Sequence, residues 1–147
     1  MVALYRREYA AHQDDPDRLN GHITQPHYGF SVHMHLAETD AQAMDQARPA
    51  FAHFMHNFTQ RFIERNIADK VERYTERMDF DAEVAKGRLL VGSPARIRDN
   101  LGAMLRQSAA NYVVGSFFFG NMTFEQAQRS IELFAGEVMP ALEGGFD

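Results

Sequence analysis

Two histidines separated by one residue are the side chains of this sequence best suited to proton chemistry. His33 and His35 lie in the segment Tyr28–Leu36, where apolar and polar residues alternate. A period of two predicts a strand, so both imidazoles belong to its polar face. Such a pair can ligate a metal or hold a proton donor beside a redox ring, which makes both residues catalytic candidates. No carboxylate accompanies them at ligand spacing, so we predict no metal site. The alternative role is polar filling of a lumen or solvent-facing surface.

Two glycine-containing turns precede helices and are the candidate phosphate sites. The first contains Gly92 and Ser93, and the second contains Gly120 and Asn121. A helix N-terminus can bind phosphate through free backbone N–H groups and the helix dipole. These four residues are therefore the candidate cofactor-binding residues. Ordinary helix capping is the alternative explanation.

The three consecutive phenylalanines Phe117–Phe119 are candidates for lining an apolar substrate pocket. Neighbouring strand residues point to opposite faces, so at most Phe117 and Phe119 share one face. Packing in the core is the alternative role for these rings.

Composition excludes several classes of function. The net charge of −5 over 147 residues argues against nucleic acid as a partner. The absence of cysteine excludes disulfides and thiolate chemistry and fits a cytoplasmic location. The N-terminus lacks the apolar region of a signal peptide, and the most apolar run, Tyr112–Phe119, is too short to cross a membrane.

Periodicity and capping signals predict an opening helix followed by three strand–helix units within one domain, residues 1–147. The predicted elements are a helix over 2–13, a strand over 28–36, a helix from 40 to about 65, a strand over 89–91, a helix from 94, a strand within 111–120 and a helix from 124. Pro49 is expected to bend the second helix or break it in two. Residues 66–88 are densely charged and predict a lid-like, partly helical excursion.

Alternating strands and helices predict an α/β fold with parallel strands. The strand within 111–120 is almost continuously apolar, which is typical of a strand covered on both faces and kept away from a sheet edge. A complete (β/α)8 barrel needs about 250 residues. The chain is well short of that length, so its sheet must be completed in another way or remain unusually small.

Several segments resemble one family of enzymes. Val91-Gly-Ser-Pro94, Asn111–Gly120 and the closing Ser130-Ile-Glu-Leu-Phe134 with Val138-Met-Pro140 resemble the C-terminus of luciferase-like monooxygenases. His35–Ala43 resembles the strand and acidic, alanine-rich helix start of the same family. The resemblance implies a partial (β/α)8 TIM barrel in which the three strand–helix units are the last three. It also implies that residues 66–88 fall where bacterial luciferase has its mobile active-site loop.

The resemblance also implies a function. A luciferase-like monooxygenase uses reduced FMN and oxygen on an organic substrate, and its phosphate-binding segment lies largely upstream of the units found here. The expected function is therefore a flavin-dependent monooxygenase module that needs the N-terminal half or self-association for activity. The choice between FMN and a deazaflavin stays open.

The alternative is a non-catalytic remnant of the same fold that self-associates. Either way a homodimer or larger assembly is expected, because three parallel strands alone should expose an apolar patch. A separate chain that supplies the N-terminal half-barrel is another conceivable partner.

Overall fold

The computed structural model describes residues 2–19 and 21–143, so Met1, Asn20 and residues 144–147 of the expected domain lie outside the described residues. Its elements are α1 (Val2–Ala11), β1 (Gly29–Leu36), α2 (Asp40–Glu64), α3 (Ala68–Thr75), α4 (Phe80–Ala85), β2 (Leu89–Gly92), α5 (Pro94–Ser108), β3 (Tyr112–Ser116), α6 (Phe124–Leu133), a π-helical segment (Phe134–Val138) and α7 (Met139–Glu143).

The three strands form one parallel sheet, which confirms the expected α/β class and is consistent with a partial luciferase-like barrel. The order along the sheet is β2-β1-β3. The C-terminal half of β1 pairs with β2, from His33↔Leu89 to Leu36↔Gly92, and its N-terminal half pairs with β3, from Gly29↔Tyr112 to His33↔Ser116. The first strand along the chain, β1, is therefore the central strand of the sheet. Three consecutive strands of a closed barrel would instead lie side by side in sequence order, with the second strand in the middle.

Helices cover both faces of the sheet, so the chain has two cores. On one face Val32, Met34 and Leu36 of β1 pack with Ile97 and Leu101 of α5. On the other face Leu89 and Val91 of β2 pack against a row of small α2 side chains, namely Ala43, Ala47 and Ala50. Small residues let the α2 backbone approach the strands closely. Because α2 lies on the face that carries His33 and His35, it buries His35 completely and leaves His33 partly buried.

The apolar strand at 112–116 corrects another expectation. β3 is an edge strand rather than an interior one, and it has no buried residue. Tyr112 and Val114 are 47% and 55% exposed. The strand also ends at Ser116, so the phenylalanines that follow it lie outside regular pairing. Phe117 packs beside Phe134, Phe119 is buried in the α2 core and Phe118 is 60% exposed. Phe117 and Phe119 therefore go to different cores instead of sharing one pocket wall.

Helix α2 begins where the sequence predicts and runs through its proline without interruption. The Thr39 hydroxyl accepts a hydrogen bond from the backbone N–H of Gln42, which caps the first turn. Pro49 lies within the single helix Asp40–Glu64, so it does not break the helix in two. Together these features place a long aromatic-bearing helix across the face of β1.

The charged segment after α2 is fixed to the core at its second helix. α3 has no buried residue, whereas α4 buries Phe80 and Glu83. The Phe80 ring packs against Phe51 of α2 at a centroid distance of 5.8 Å. The lid role of residues 66–88 stays a prediction.

The end of the chain explains part of the closing motif. Pro140 has no backbone N–H and therefore cannot continue regular helical bonding. The preceding turn widens into the π-helical segment, where the N–H of Met139 donates to the carbonyl of Phe134. The wider turn keeps Val138 fully buried against the α5 side of the sheet.

Candidate functional site

His35 is fully buried beneath α2. Its Nε2 lies 2.8 Å from Oε1 of Gln46, and Nδ1 has no hydrogen-bond partner among the described residues. An amide oxygen accepts, so the neutral ring donates from Nε2 and leaves the Nδ1 lone pair unused. Burial lowers the pKa of His35, while the Gln46 hydrogen bond opposes that shift. The ring is therefore neutral near pH 7, and it is enclosed by protein rather than facing a substrate.

His33 lies two residues before His35 on the same face of β1, and its neighbours are aromatic. Its ring centroid is 4.9 Å from that of Phe54 and 5.5 Å from that of Phe119. Burial lowers the pKa of His33, and the positive charge of Arg77 lowers it further. The two histidines do not meet at one reaction centre. Within residues 2–19 and 21–143, no group of three or more histidine and carboxylate side chains is arranged to hold a metal ion.

A carboxylate occupies the Gly92–Ser93 turn. The Ser93 backbone N–H donates to Oδ1 of Asp40 at 2.7 Å, and Arg96 lies 3.3 Å from Oδ2. These groups, the Ser93 N–H first, hold the pKa of Asp40 below its ordinary range. Asp40 thus fills the anion position at the start of α5, where a phosphate would meet its negative charge.

The second candidate turn is closed by its own cap and by α2. Thr123 and Gln126 exchange hydrogen bonds in a complete capping box, which uses N–H groups at the start of α6. Gly120 has a φ of +63°, and a Cβ at this position would lie 1.8 Å from the carbonyl oxygen of Ala50. The turn that carries Gly120 and Asn121 therefore packs directly on α2. Neither glycine turn of the described chain fits a flavin phosphate.

Two residues that the sequence analysis did not single out complete the carboxyl end of β1. The Leu36 N–H donates to Oγ of Ser130, which is fully buried, at 2.8 Å. Successive N–H groups of a strand point to opposite sides. The Ala37 N–H bonds to Gly92 of β2, so the Leu36 N–H points to the other side of β1, beyond the last paired residue of β3. Arg129 beside Ser130 pairs with Glu38 at 2.7 Å. Ser130 is the first residue of the closing motif, and its place in that motif was the signal from which its role could have been inferred.

The fold is a parallel α/β unit with helices on both faces of its sheet. The sequence profile of the luciferase-like monooxygenase family matches residues 1–112. The chain belongs to the luciferase-like monooxygenase family. The matched region includes His35–Ala43 and ends before the closing motif.

A solved structure shares this fold. The monooxygenase RslO1 from Streptomyces bottropensis matches with a TM-score of 0.63 and 21% identity, over 95% of this chain and 36% of that one. Apo-MsnO8 matches with a TM-score of 0.48 and 26% identity, over 81% of this chain and 35% of that one. The chain thus spans about a third of the length of these structures. Comparison with curated proteins finds no match. No helix within the described residues is long and apolar enough to span a membrane.

Proposed function

We propose that this chain is a flavin-dependent monooxygenase module whose site forms only when further strands join its sheet at β3. Membership of the luciferase-like monooxygenase family supports the class of chemistry. The bare edge of β3 carries the rest of the proposal. An edge strand with unpaired N–H and C=O groups and exposed apolar side chains is a template for another strand.

A second copy of the chain is the partner we propose for this edge. The segment Tyr112–Ser116 carries no charged residue, so two copies meet there without like-charge repulsion. Phe118 and Phe124, which are 60% and 72% exposed, extend the apolar surface beyond the strand. Natural edge strands are normally protected by charges or by a covering element, and β3 has neither among the described residues.

FMN is the cofactor that family membership supports, and it would supply the oxygen-activating redox chemistry. The candidate turns of the single chain do not fit its phosphate, because Asp40 fills one and α2 packs on the other. No reaction step can be derived from this geometry. A flavin site of the assembled form therefore has to lie outside both of these turns, where two copies meet.

The closed turns favour a second candidate function. A non-catalytic member of the family that self-associates would need no free phosphate site and would leave His35 buried and His33 partly buried, as they are here. In that case the exposed β3 edge serves assembly alone.

Light scattering combined with an FMN fluorescence titration separates these functions. We expect the mass of two or more chains at micromolar concentration, and saturable quenching of FMN. Val114→Lys should reduce the mass to that of one chain, since it adds a charge to the bare edge, and it should abolish quenching. Leu19→Lys is the matched control, because Leu19 is 96% exposed in a loop.

The outcomes are distinct. Assembly without flavin binding supports the non-catalytic function and overturns the flavin module. A single-chain mass for the unaltered protein overturns both functions as stated, and a separate chain supplying the other strands then has to be sought by co-expression.

A further inference from the structure

A small cavity of about 190 Å³ lies on the α2 face of the sheet, near the start of β2. Its walls come from β1, α2 and the segment that carries α3 and α4. The aromatic members of the wall are Phe51, Phe54, Phe58 and Tyr74. Engineered cavities of about 150 Å³ lined by apolar side chains bind benzene, so this volume suits a single six-membered ring with a small substituent.

The aromatic wall is packed in geometries that also suit a bound ring. Phe58 and Tyr74 meet edge to face with centroids 4.7 Å apart, and Phe54 lies 5.8 Å from Phe58. Aromatic pairs favour offset and edge-to-face arrangements at such distances. A planar guest placed among these rings would continue the same packing.

The polar end of the cavity carries an excess of positive charge. Glu83, 2% exposed, accepts from Nε of Arg77 at 3.1 Å and from Nη1 of Arg88 at 3.0 Å. One carboxylate between two guanidinium groups leaves one net positive charge. Among the described residues, no partner occupies the two terminal nitrogens of Arg77, which lines the cavity with a half-exposed side chain.

His33 closes the sheet side of the cavity as a neutral ring. Burial and the charge of Arg77 both lower its pKa, so near pH 7 it adds no charge. Its nitrogens remain available for hydrogen bonding to a polar substituent. The net charge at the cavity therefore comes from the arginine pair.

We propose that this cavity binds a single-ring aromatic carboxylate, with the ring among Phe54, Phe58 and Tyr74 and the carboxylate at Arg77. The planar guanidinium matches a carboxylate through paired N–H groups, and the partly dry surroundings strengthen such bonds. A neutral ring of the same shape gains only the apolar contacts. The binding of this ligand does not depend on flavin.

Benzoate and benzamide, which share a shape and differ in charge, provide the test on the full chain. Titration followed by NMR should show saturable binding of benzoate with a Kd of about 1 mM or below, and at least about tenfold weaker binding of benzamide. The Tyr74 ring protons should shift with the same midpoint, which locates the binding in this cavity. No saturation by benzoate, equal binding of both compounds or unshifted Tyr74 signals would overturn the proposal.

A variant pair tests the role of the guanidinium. Arg77→Gln should weaken benzoate binding at least about tenfold and leave benzamide unchanged, because Glu83 keeps its bond to Arg88. Arg98→Gln is the matched control, since within the described part of the chain Arg98 pairs only with its neighbour Asp99 on α5. Unchanged benzoate affinity in folded Arg77→Gln sinks the proposal. If that variant does not fold, the benzoate–benzamide comparison on the unaltered chain still decides.

Discussion

The two edge strands of this sheet differ in how far their side chains are buried. All four residues of β2 are buried, whereas β3 has no buried residue and exposes Tyr112 and Val114. Both strands are short, and both pair with β1 on one side only. Length and pairing therefore do not explain the difference between them.

Coverage by helices explains it. The side chains of β2 alternate between the two cores, with Leu89 and Val91 against α2 and Leu90 against α5. Glu83 and its two arginines lie directly beside the start of β2 and close that end of the sheet. β3 has a core on one side only, through Val113. The comparison indicates that helices cover β2 within the chain and leave β3 exposed, as the proposed assembly requires.

Alanine substitutions on the two strands test this difference in burial, and they have the largest expected effect. Leu90→Ala should lower the free energy of unfolding by about 2–5 kcal/mol, because it leaves a cavity at a side chain that is 1% exposed. Val114→Ala should change it by less than about 0.5 kcal/mol when it is measured below the concentration at which the chains assemble. Urea unfolding followed by circular dichroism measures both. Equal losses at the two sites would show that β3 is as well covered as β2.

Ser130→Ala sharpens the comparison at the place where β3 ends. It leaves the buried N–H of Leu36 without its acceptor, so we expect a loss of about 1–3 kcal/mol in the free energy of unfolding. Ser116→Ala, on β3 itself, is the control and should cost less than about 0.5 kcal/mol. An unchanged free energy of unfolding in Ser130→Ala would mean that the Leu36 N–H has another acceptor. In that case α6 is not needed to complete the hydrogen bonding on this side of β1.

The elements were predictable from the sequence because their signals are local. The Thr39 and Thr123 caps and the strand beginning near Phe30 depend on neighbours within a few residues. The strand order was not predictable, since it depends on which face α2 covers. That choice buried His35, covered part of His33 and left the most apolar strand at the edge.

The groups that fill the candidate phosphate turns were not predictable from the sequence for a similar reason. A glycine turn before a helix signals a free anion position only if nothing else fills it. Here the filling group, Asp40, is 53 residues away along the chain. Ser130 lies inside a motif that was recognised, but its hydrogen bond to Leu36 spans 94 residues and has no periodic signature. Pairings at such separations are determined by packing rather than by local pattern.

The smallest expected effect concerns the face that α2 covers. An unfolded histidine titrates near its ordinary value of 6.5, whereas burial lowers the pKa of His35 and of His33 in the folded chain. Below pH 6.5 the unfolded state therefore binds more protons, and stability falls as the pH drops toward the folded pKa values. Well above pH 6.5 both states are neutral at these positions, so they contribute no pH dependence there.

Urea unfolding from about pH 8 to about pH 5 measures this effect, which is at most about 1.4 kcal/mol per pH unit for each histidine. His35→Asn should flatten the acid side, because the amide can still donate to Gln46 and has no proton to gain in this range. His56→Asn, exposed on α2, should keep the slope. An unchanged slope in His35→Asn would mean that water reaches His35, and the β1 face would then be as open as the β3 edge.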